Sequence, residues 1–432
     1  MSRLALGLDL GSSGLRLAVF APDGPCGGTL LDEHASPYPG PFEDPQAWLD
    51  GFIQLLSELQ PSTRQRIGAI AIDGTSGTLL ICRPDGTLPS GSLGRALPYH
   101  QACKEQAEAA QGLAGSGPAA SASGSLARAL RLLSQAASES PGRGWLLRHQ
   151  ADWLMGWLLG DWRWGEEGNN LRLGWDPQRR QWSGLIDQQP WSQSLPSICP
   201  SGQLLGVLAP ETASRLNLPA DCRVVAGSTD ANAAVLAANP GPGDGITVLG
   251  TTLVLKRFLP KPLQGPGLSN HRLDGRWLVG GASNSGAGVL RQFFSDDQLA
   301  ELSRQIDPDR PSGLRLRPLP RRGERFPDDD PELEPILGPR PCSDALFLQG
   351  LLEGLSDIEA RGWQRLQPSE APPLQRVITL GGGAVNPQWR TLRHRRLGLP
   401  VLNRPHLSAA LGMARLAARR MGDCIGHGLA DS

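Results

Sequence analysis

The sequence has no surplus of charge of either sign: 42 Lys and Arg offset 42 Asp and Glu over 432 residues. It offers no bulk attraction to nucleic acid or to an anionic membrane, so a small neutral or anionic ligand is the expected partner. It also lacks any paired cysteine motif. The seven cysteines, at positions 26, 82, 103, 199, 222, 342 and 424, are odd in number and widely scattered. No Cys-x-x-Cys or Cys/His grouping points to zinc, and free thiols in a reducing cytosol are expected. No stretch reaches the roughly 18 apolar residues that a spanning helix needs. Strand-like sequence begins by Leu4 without a basic leader, which predicts a soluble cytoplasmic protein with neither membrane nor nucleic acid as partner. The nearest spanning candidate, "WLMGWLLG" (153–160), sits between Asp152 and Asp161 and reads as a buried helix. Two nucleotide signatures are missing as well. No G-x-x-x-x-G-K-[ST] string occurs and no G-x-G-x-x-G follows the first strand, which disfavours a P-loop fold and an N-terminal Rossmann fold.

What is present is a recurring unit. Apolar runs ending in Gly/Ser/Thr turns occur at 4–14, 67–77, 222–234, 245–256, 276–288 and 376–386. Helical spacing fills 46–59, 126–137, 289–305 and 344–366, so an α/β protein with central sheets is predicted. The length exceeds what one core usually supports, which argues for two domains. Segments 5–20 and 246–256 share one plan, strand, Gly-Ser/Thr-Ser/Thr turn, strand, which is the mark of a duplicated domain. "AANPGPGDG" (237–245) reads as the linker, giving domains 1–238 and 239–432. Residues 105–125 are small and polar enough for a flexible excursion, and 308–342 is too rich in Pro and charge to be regular throughout. Eight of the twelve tryptophans fall between 145 and 191, a cluster read as packing.

The turns carry the chemistry. "GSSG" (11–14) between two strands exposes consecutive backbone N–H groups and allows close approach, so it can cradle a phosphate with Asp9 beside it; a plain hairpin turn is the alternative. "LGTT" (249–252) repeats that turn in the second half, and two such hairpins can serve one polyphosphate. Arg16 adds a nearby positive charge or is an outward strand residue. In "GSTDANAA" (227–234), Asp230 is either a helix N-cap or a general base taking a proton from a hydroxyl that attacks phosphorus. "AIDGTSGT" (71–78) brings Asp73, Thr75 and Ser76 to a strand end, where hydroxyls and carboxylates can bind a polyol or simply form a turn. "LGGGAVNPQW" (380–389) lets a flat group lie on glycine backbone, with Asn386 to read a heteroatom edge and Trp389 as a stacking face; the alternative is a strand-to-helix turn over a core tryptophan.

Taken in order, "GLDLGSSGLR", "AGSTDANAA", "VLGTTLVLK", "GERFP" (323–327), "FLQGLLEGLSDIE" (347–359) and "TLGGGAVNPQWRTL" (379–392) resemble the FGGY carbohydrate kinases of the actin/hexokinase/Hsp70 superfamily, from residue 4 to about 416. The resemblance implies two ribonuclease-H-like α/β domains with an interdomain cleft, transferring the γ-phosphate of ATP to a sugar hydroxyl with Mg²⁺. It implies that Asp230 is the catalytic base and that Asp9, Thr75, Ser76 and Asp230 bind the sugar. It assigns Gly11, Ser12, Ser13, Gly250, Thr251 and Thr252 to the ATP phosphates. Gly381, Gly382, Gly383, Asn386 and Trp389 fall to adenosine, and Asp9 to Mg²⁺, directly or through water. Xylulokinase-like members typically carry a Gln-Met-His-Gly stretch where this chain has "DGTSG" (73–77). The short form looks most like the xylulokinase-like branch of cyanobacteria and plants that acts on D-ribulose. D-xylulose, a polyol such as glycerol, and an actin-like ATPase without a sugar acceptor are the rival readings. A homodimer stays open.

Overall fold

The computed structural model describes residues 2–23, 27–139 and 144–422. The chain divides into two compact units. One comprises residues 1–237, 272–275 and 408–432, and the other 238–271 and 276–407. Cys26 and Cys424 lie outside the described residues, and Cys82, Cys103, Cys199, Cys222 and Cys342 carry free thiols.

The first unit is built on a six-stranded sheet of β1 (Leu4–Leu10), β2 (Leu15–Ala21), β3 (Thr29–Ser36), β4 (Ile67–Gly74), β5 (Leu204–Val207) and β6 (Arg223–Thr229), in the order β5-β6-β4-β1-β2-β3. β1, β2 and β3 form an antiparallel meander, β4 runs parallel to β1, and β6 runs parallel to β4. Every residue of β1 and β4 is buried, as continuous apolar runs covered on both faces should be. Helix α1 (Pro45–Ser57) starts where Asp44 caps the Gln46 N–H and proline fixes the first turn; its Trp48, Phe52 and Leu55 enter the core. Next come α2 (Ser125–Glu139), α3 (Gln150–Leu159) and α4 (Asp230–Ala237). The 153–160 stretch is the buried helix its sequence predicts, stopped by left-handed Gly160. The 105–125 stretch is not the flexible excursion its composition suggested. It contains a helix, Ala107–Ala114, and its Ala110, Ala114 and Ala119 join Leu126 and Leu132 of α2 in a small separate core.

In the second unit, β7 (Asp244–Leu249), β8 (Leu253–Leu259), β9 (Leu268–Leu273), β10 (Arg276–Ala282), β11 (Arg376–Leu380) and β12 (Val401–Asn403) are ordered β9-β10-β8-β7-β11-β12. β7, β8 and β10 form the meander, while β11 is parallel to β7 and β12 to β11. The five-strand pattern of the first sheet is thus repeated, and the shared plan read in 5–20 and 246–256 marks the first hairpin of each copy. Helices α5 (Asp296–Arg304), α6 (Asp344–Arg365) and α7 (Pro387–Leu397) cover the sheet. α5 opens with a reciprocal capping box between Ser295 and Gln298. Beneath the sheet the fully buried Arg393 pairs with Glu359 through two bonds of 2.6 and 2.7 Å, and Thr247, Thr379 and Trp363 complete the network. The 308–342 segment has no helix, only isolated bridges such as Glu324 with Asp330.

A C-terminal helix, α8 (Ala409–Ala418), corrects the expected 239–432 domain, because it belongs to the first unit. Its backbone approaches β1 so closely that a Cβ on Gly7 would stand 1.9 Å from the Ala410 carbonyl oxygen. On its other side a Cβ on Gly412 would meet the Ala233 oxygen of α4 at the same distance. Only glycine permits both approaches.

Candidate functional site

Pairing places the acids of the first unit. In the register of the sheet, Asp9 at the end of β1 faces Arg16 on one side and Asp73 on the other, and Asp73 faces Ser228 on β6. Asp230 opens α4 one residue beyond that strand, half-buried, with one oxygen accepting the Ala231 N–H. Three carboxyls therefore gather at one end of the sheet. Asp9 is 4% exposed and Asp73 fully buried. Arg16, half-exposed, approaches Asp9 at 3.4 Å. Burial pushes the Asp9 carboxyl above its usual range, while a hydrogen bond with Asp73 and the charge of Arg16 pull it back. Asp73 is driven well above the carboxylate range, by burial first and by the charges of Asp9 and Asp230 next. Neither Asp73 oxygen meets a donor, and burial beside two other carboxyls favours its protonated form. The excess of carboxyls over guanidinium suits a divalent cation. Among the described residues no group of three or more His, Cys, Asp or Glu is preassembled as a chelate.

The loop after β1 puts Ser12 and Ser13 at the surface with Gly11 half-buried between them and the acids. The turn after β4 divides the two hydroxyls predicted to bind a polyol. Ser76 is half-buried. Thr75 is buried, and its hydroxyl is already engaged by Gln150 at 2.8 Å and Thr78 at 2.6 Å. The sequence offered no sign of this, because Gln150 lies 75 residues away. Behind the turn, the buried guanidinium of Arg128 donates to the carbonyls of Pro98, Gly77, Ser123 and Tyr99. Burial without a carboxylate partner lowers its pKa to about 10.

In the second unit the corresponding loop, Gly250 to Thr252, also follows the first strand and is held from one side. Ala287 and Gly288 donate to the carbonyls of Gly250 and Thr251, and Leu253 donates to Ser285. The 283–285 stretch hangs on Glu324 of the "GERFP" motif. That buried carboxylate accepts from the Ser283 hydroxyl at 2.6 Å and the Asn284 N–H at 2.7 Å. Glu324 is a positioning residue that the motif contained without revealing its task.

Beside this loop lies a cavity of about 710 Å³, lined by Gly250, Leu290, Leu299, Ser303, Gly382, Gly383 and Val385 among others. That volume accommodates a nucleoside. Gly381 enters the turn with φ +84° and comes so near Leu249 that a side chain would meet its carbonyl at 2.8 Å. Two adenosine candidates, Asn386 and Trp389, line this cavity and are also tied into the fold. Asn386 caps α7, its oxygen accepting the Trp389 N–H and its amide donating to Ser303. Trp389 is 2% exposed and underlies Gly383 as part of the core. It also lines the cavity. Val385, 63% exposed, is the apolar side chain standing open at the cavity.

Residues 245–421 match the C-terminal domain of the FGGY family of carbohydrate kinases. Across the whole chain, the α/β fold is similar to that of solved xylulose and glycerol kinases. A xylulose kinase of Rhodospirillum rubrum superposes with a TM-score of 0.77 at 20% identity, over 98% of this chain and 91% of that one. A glycerol kinase of Plasmodium falciparum, solved with ADP, does so at 0.73 and 15%, over 98% and 91%. In sequence, xylulose kinase of Klebsiella pneumoniae is 28% identical over 261 residues, which are 56% of this chain and 53% of the relative. The aligned stretch thus spans about half the length of that curated relative. No described helix is long and apolar enough to cross a membrane.

Proposed function

We propose that the protein is a cytoplasmic ATP-dependent carbohydrate kinase whose acceptor is a free ketopentose, D-ribulose ahead of D-xylulose. The observation that carries this reading is the division of chemistry between two copies of one sheet. The first ends in Asp9, Asp73 and Asp230 beside a Gly-Ser-Ser-Gly loop, and the second ends in a Gly-Thr-Thr loop beside a nucleoside-sized cavity. A nucleotide switch with no acceptor has no need of the half-buried Asp230.

In this reading the Asp230 carboxylate orients the attacking hydroxyl and accepts its proton as the bond to phosphorus forms. Asp9 and the half-buried Ser76 position neighbouring hydroxyls. The backbone N–H groups of 11–13 and of Thr251 and Thr252 bind phosphate oxygens, while the Gly250 N–H closes the turn on the Thr252 carbonyl. Magnesium held at Asp9 would supply charge neutralisation for the polyphosphate. The apolar cavity, with Val385 at its opening, holds adenosine by burial. Support for D-ribulose comes from "DGTSG" at 73–77, where xylulokinase-like sequences carry Gln-Met-His-Gly; the Klebsiella relative favours D-xylulose.

The test is ADP release by the purified chain with Mg·ATP alone and then with D-ribulose, D-xylulose, L-ribulose or glycerol. Release dependent on D-ribulose is expected. Greater efficiency with D-xylulose selects the second acceptor, and equal release with and without every sugar overturns the kinase reading.

A further inference from the structure

The chain has only two tyrosines, Tyr38 and Tyr99, and both belong to one chain of hydrogen bonds under the acids of the first unit. Its directions are fixed by backbone groups that can only donate. The Tyr99 N–H donates to the Thr78 hydroxyl at 3.1 Å, and the Thr75 N–H donates to Gln150 Oε1, also at 3.1 Å. Because Oε1 accepts from Thr75, the Gln150 amide NH₂ necessarily faces Tyr38, 3.3 Å from its oxygen. The Tyr38 hydroxyl spends its proton on the Gly11 carbonyl at 2.8 Å. On the other branch, Thr75 donates to Gln150 and so receives from Thr78. Every link is determined, and Thr75, Thr78 and Gln150 are buried where a broken link finds no water.

We infer that Tyr38 and Gln150 are positioning residues that lock the 73–78 turn to the 11–14 loop, making acceptor site and phosphate loop one rigid piece. This inference rests on the kinase reading. The relay touches Gly11 through a carbonyl, so the loop keeps its N–H groups free for phosphate, and no donor useful to a ligand is consumed. Tyr38 keeps its ring packed edge-on against Phe42, with centroids 5.7 Å apart. Removing the hydroxyl alone therefore releases the Gly11 carbonyl without emptying the space.

The experiment compares wild type, Tyr38→Phe, Gln150→Met and the double variant by steady-state kinetics and by amide hydrogen exchange of peptides covering 9–14 and 73–78. Tyr38→Phe is expected to lower kcat about tenfold, the scale of one positioning hydrogen bond, with the sugar KM little changed and exchange faster at 9–14. Gln150→Met should raise the sugar KM as well and loosen both segments. The double variant should be no slower than Gln150→Met, because both changes cut one relay. Unchanged kcat and unchanged exchange at 9–14 in Tyr38→Phe, or losses that simply multiply in the double variant, would overturn the inference. Should wild type phosphorylate no sugar, the kinase reading falls, and the exchange data alone decide whether the two segments are coupled.

Discussion

The two sheets invite a position-by-position comparison. Counting back from the ends of the first strands, Leu10 of β1 corresponds to Leu249 of β7, and their turns carry Gly-Ser-Ser-Gly and Gly-Thr-Thr. One residue earlier the copies part. Asp9 lies between Arg16 and Asp73, whereas Val248 lies between Val254 and Leu380. The backbone plan is common, and the chemistry is set by which side chains stand at the strand ends. The first copy gathers carboxyls; the second shapes an apolar cavity. Their buried acids differ too. Glu359 in the second unit is matched by the Arg393 guanidinium, while Glu167 in the first is buried with Oε1 unpartnered.

The comparison can be broken most sharply at Asp230. Asp230→Ala should lose sugar phosphorylation by about 10²-fold or more, the scale of a positioned base, while Mg·ATP binding by calorimetry stays near wild type because the cavity lies in the other copy. Next in size is Arg393→Met, which leaves Glu359 buried without its cation. A cost of about 3–5 kcal/mol is expected, read by denaturant unfolding as early loss of the second unit. At the cavity, Val385→Asp puts a negative charge where an apolar contact stood. Mg·ATP should bind about tenfold more weakly with sugar affinity unchanged. The smallest effect concerns Glu167. Burial raises its pKa to about 7 against the opposing charges of Arg272 and Arg180. A raised acid is favoured in its protonated form, so its contribution to stability is full below the ordinary glutamate range and is lost as pH rises through about 7. Glu167→Gln removes that loss. Thermal melts at about pH 5 and about pH 8 should show the variant gaining on wild type at the higher value.

The place of the second copy's loop was legible because glycine and small hydroxyl residues between two apolar runs mark a turn that ends a strand. The same signal located Asp9 and Asp230. What the sequence withheld depends on pairing between distant segments. Asp73 is 64 residues from Asp9 along the chain, and only the parallel register of β1 and β4 makes them neighbours. Thr75 read as a sugar ligand because a hydroxyl in a turn looks available until Gln150 is seen to occupy it. The burial of Trp389 was likewise invisible, although its place beside the glycines at the cavity was legible. The 105–125 stretch misled through composition: small alanines, poor in side-chain bulk, pack closely against α2.

The return of α8 to the first unit bears on biosynthesis. During translation the ribosome delivers residues 1–237, then the whole second unit, and only afterwards the helix that lies against Gly7 and α4. The nascent first unit therefore keeps one face of its sheet without its helix until the second unit has emerged, so the usual order of domain maturation is inverted for this chain. A stop codon shortly before residue 409 would spare the second unit intact and leave the first one incomplete.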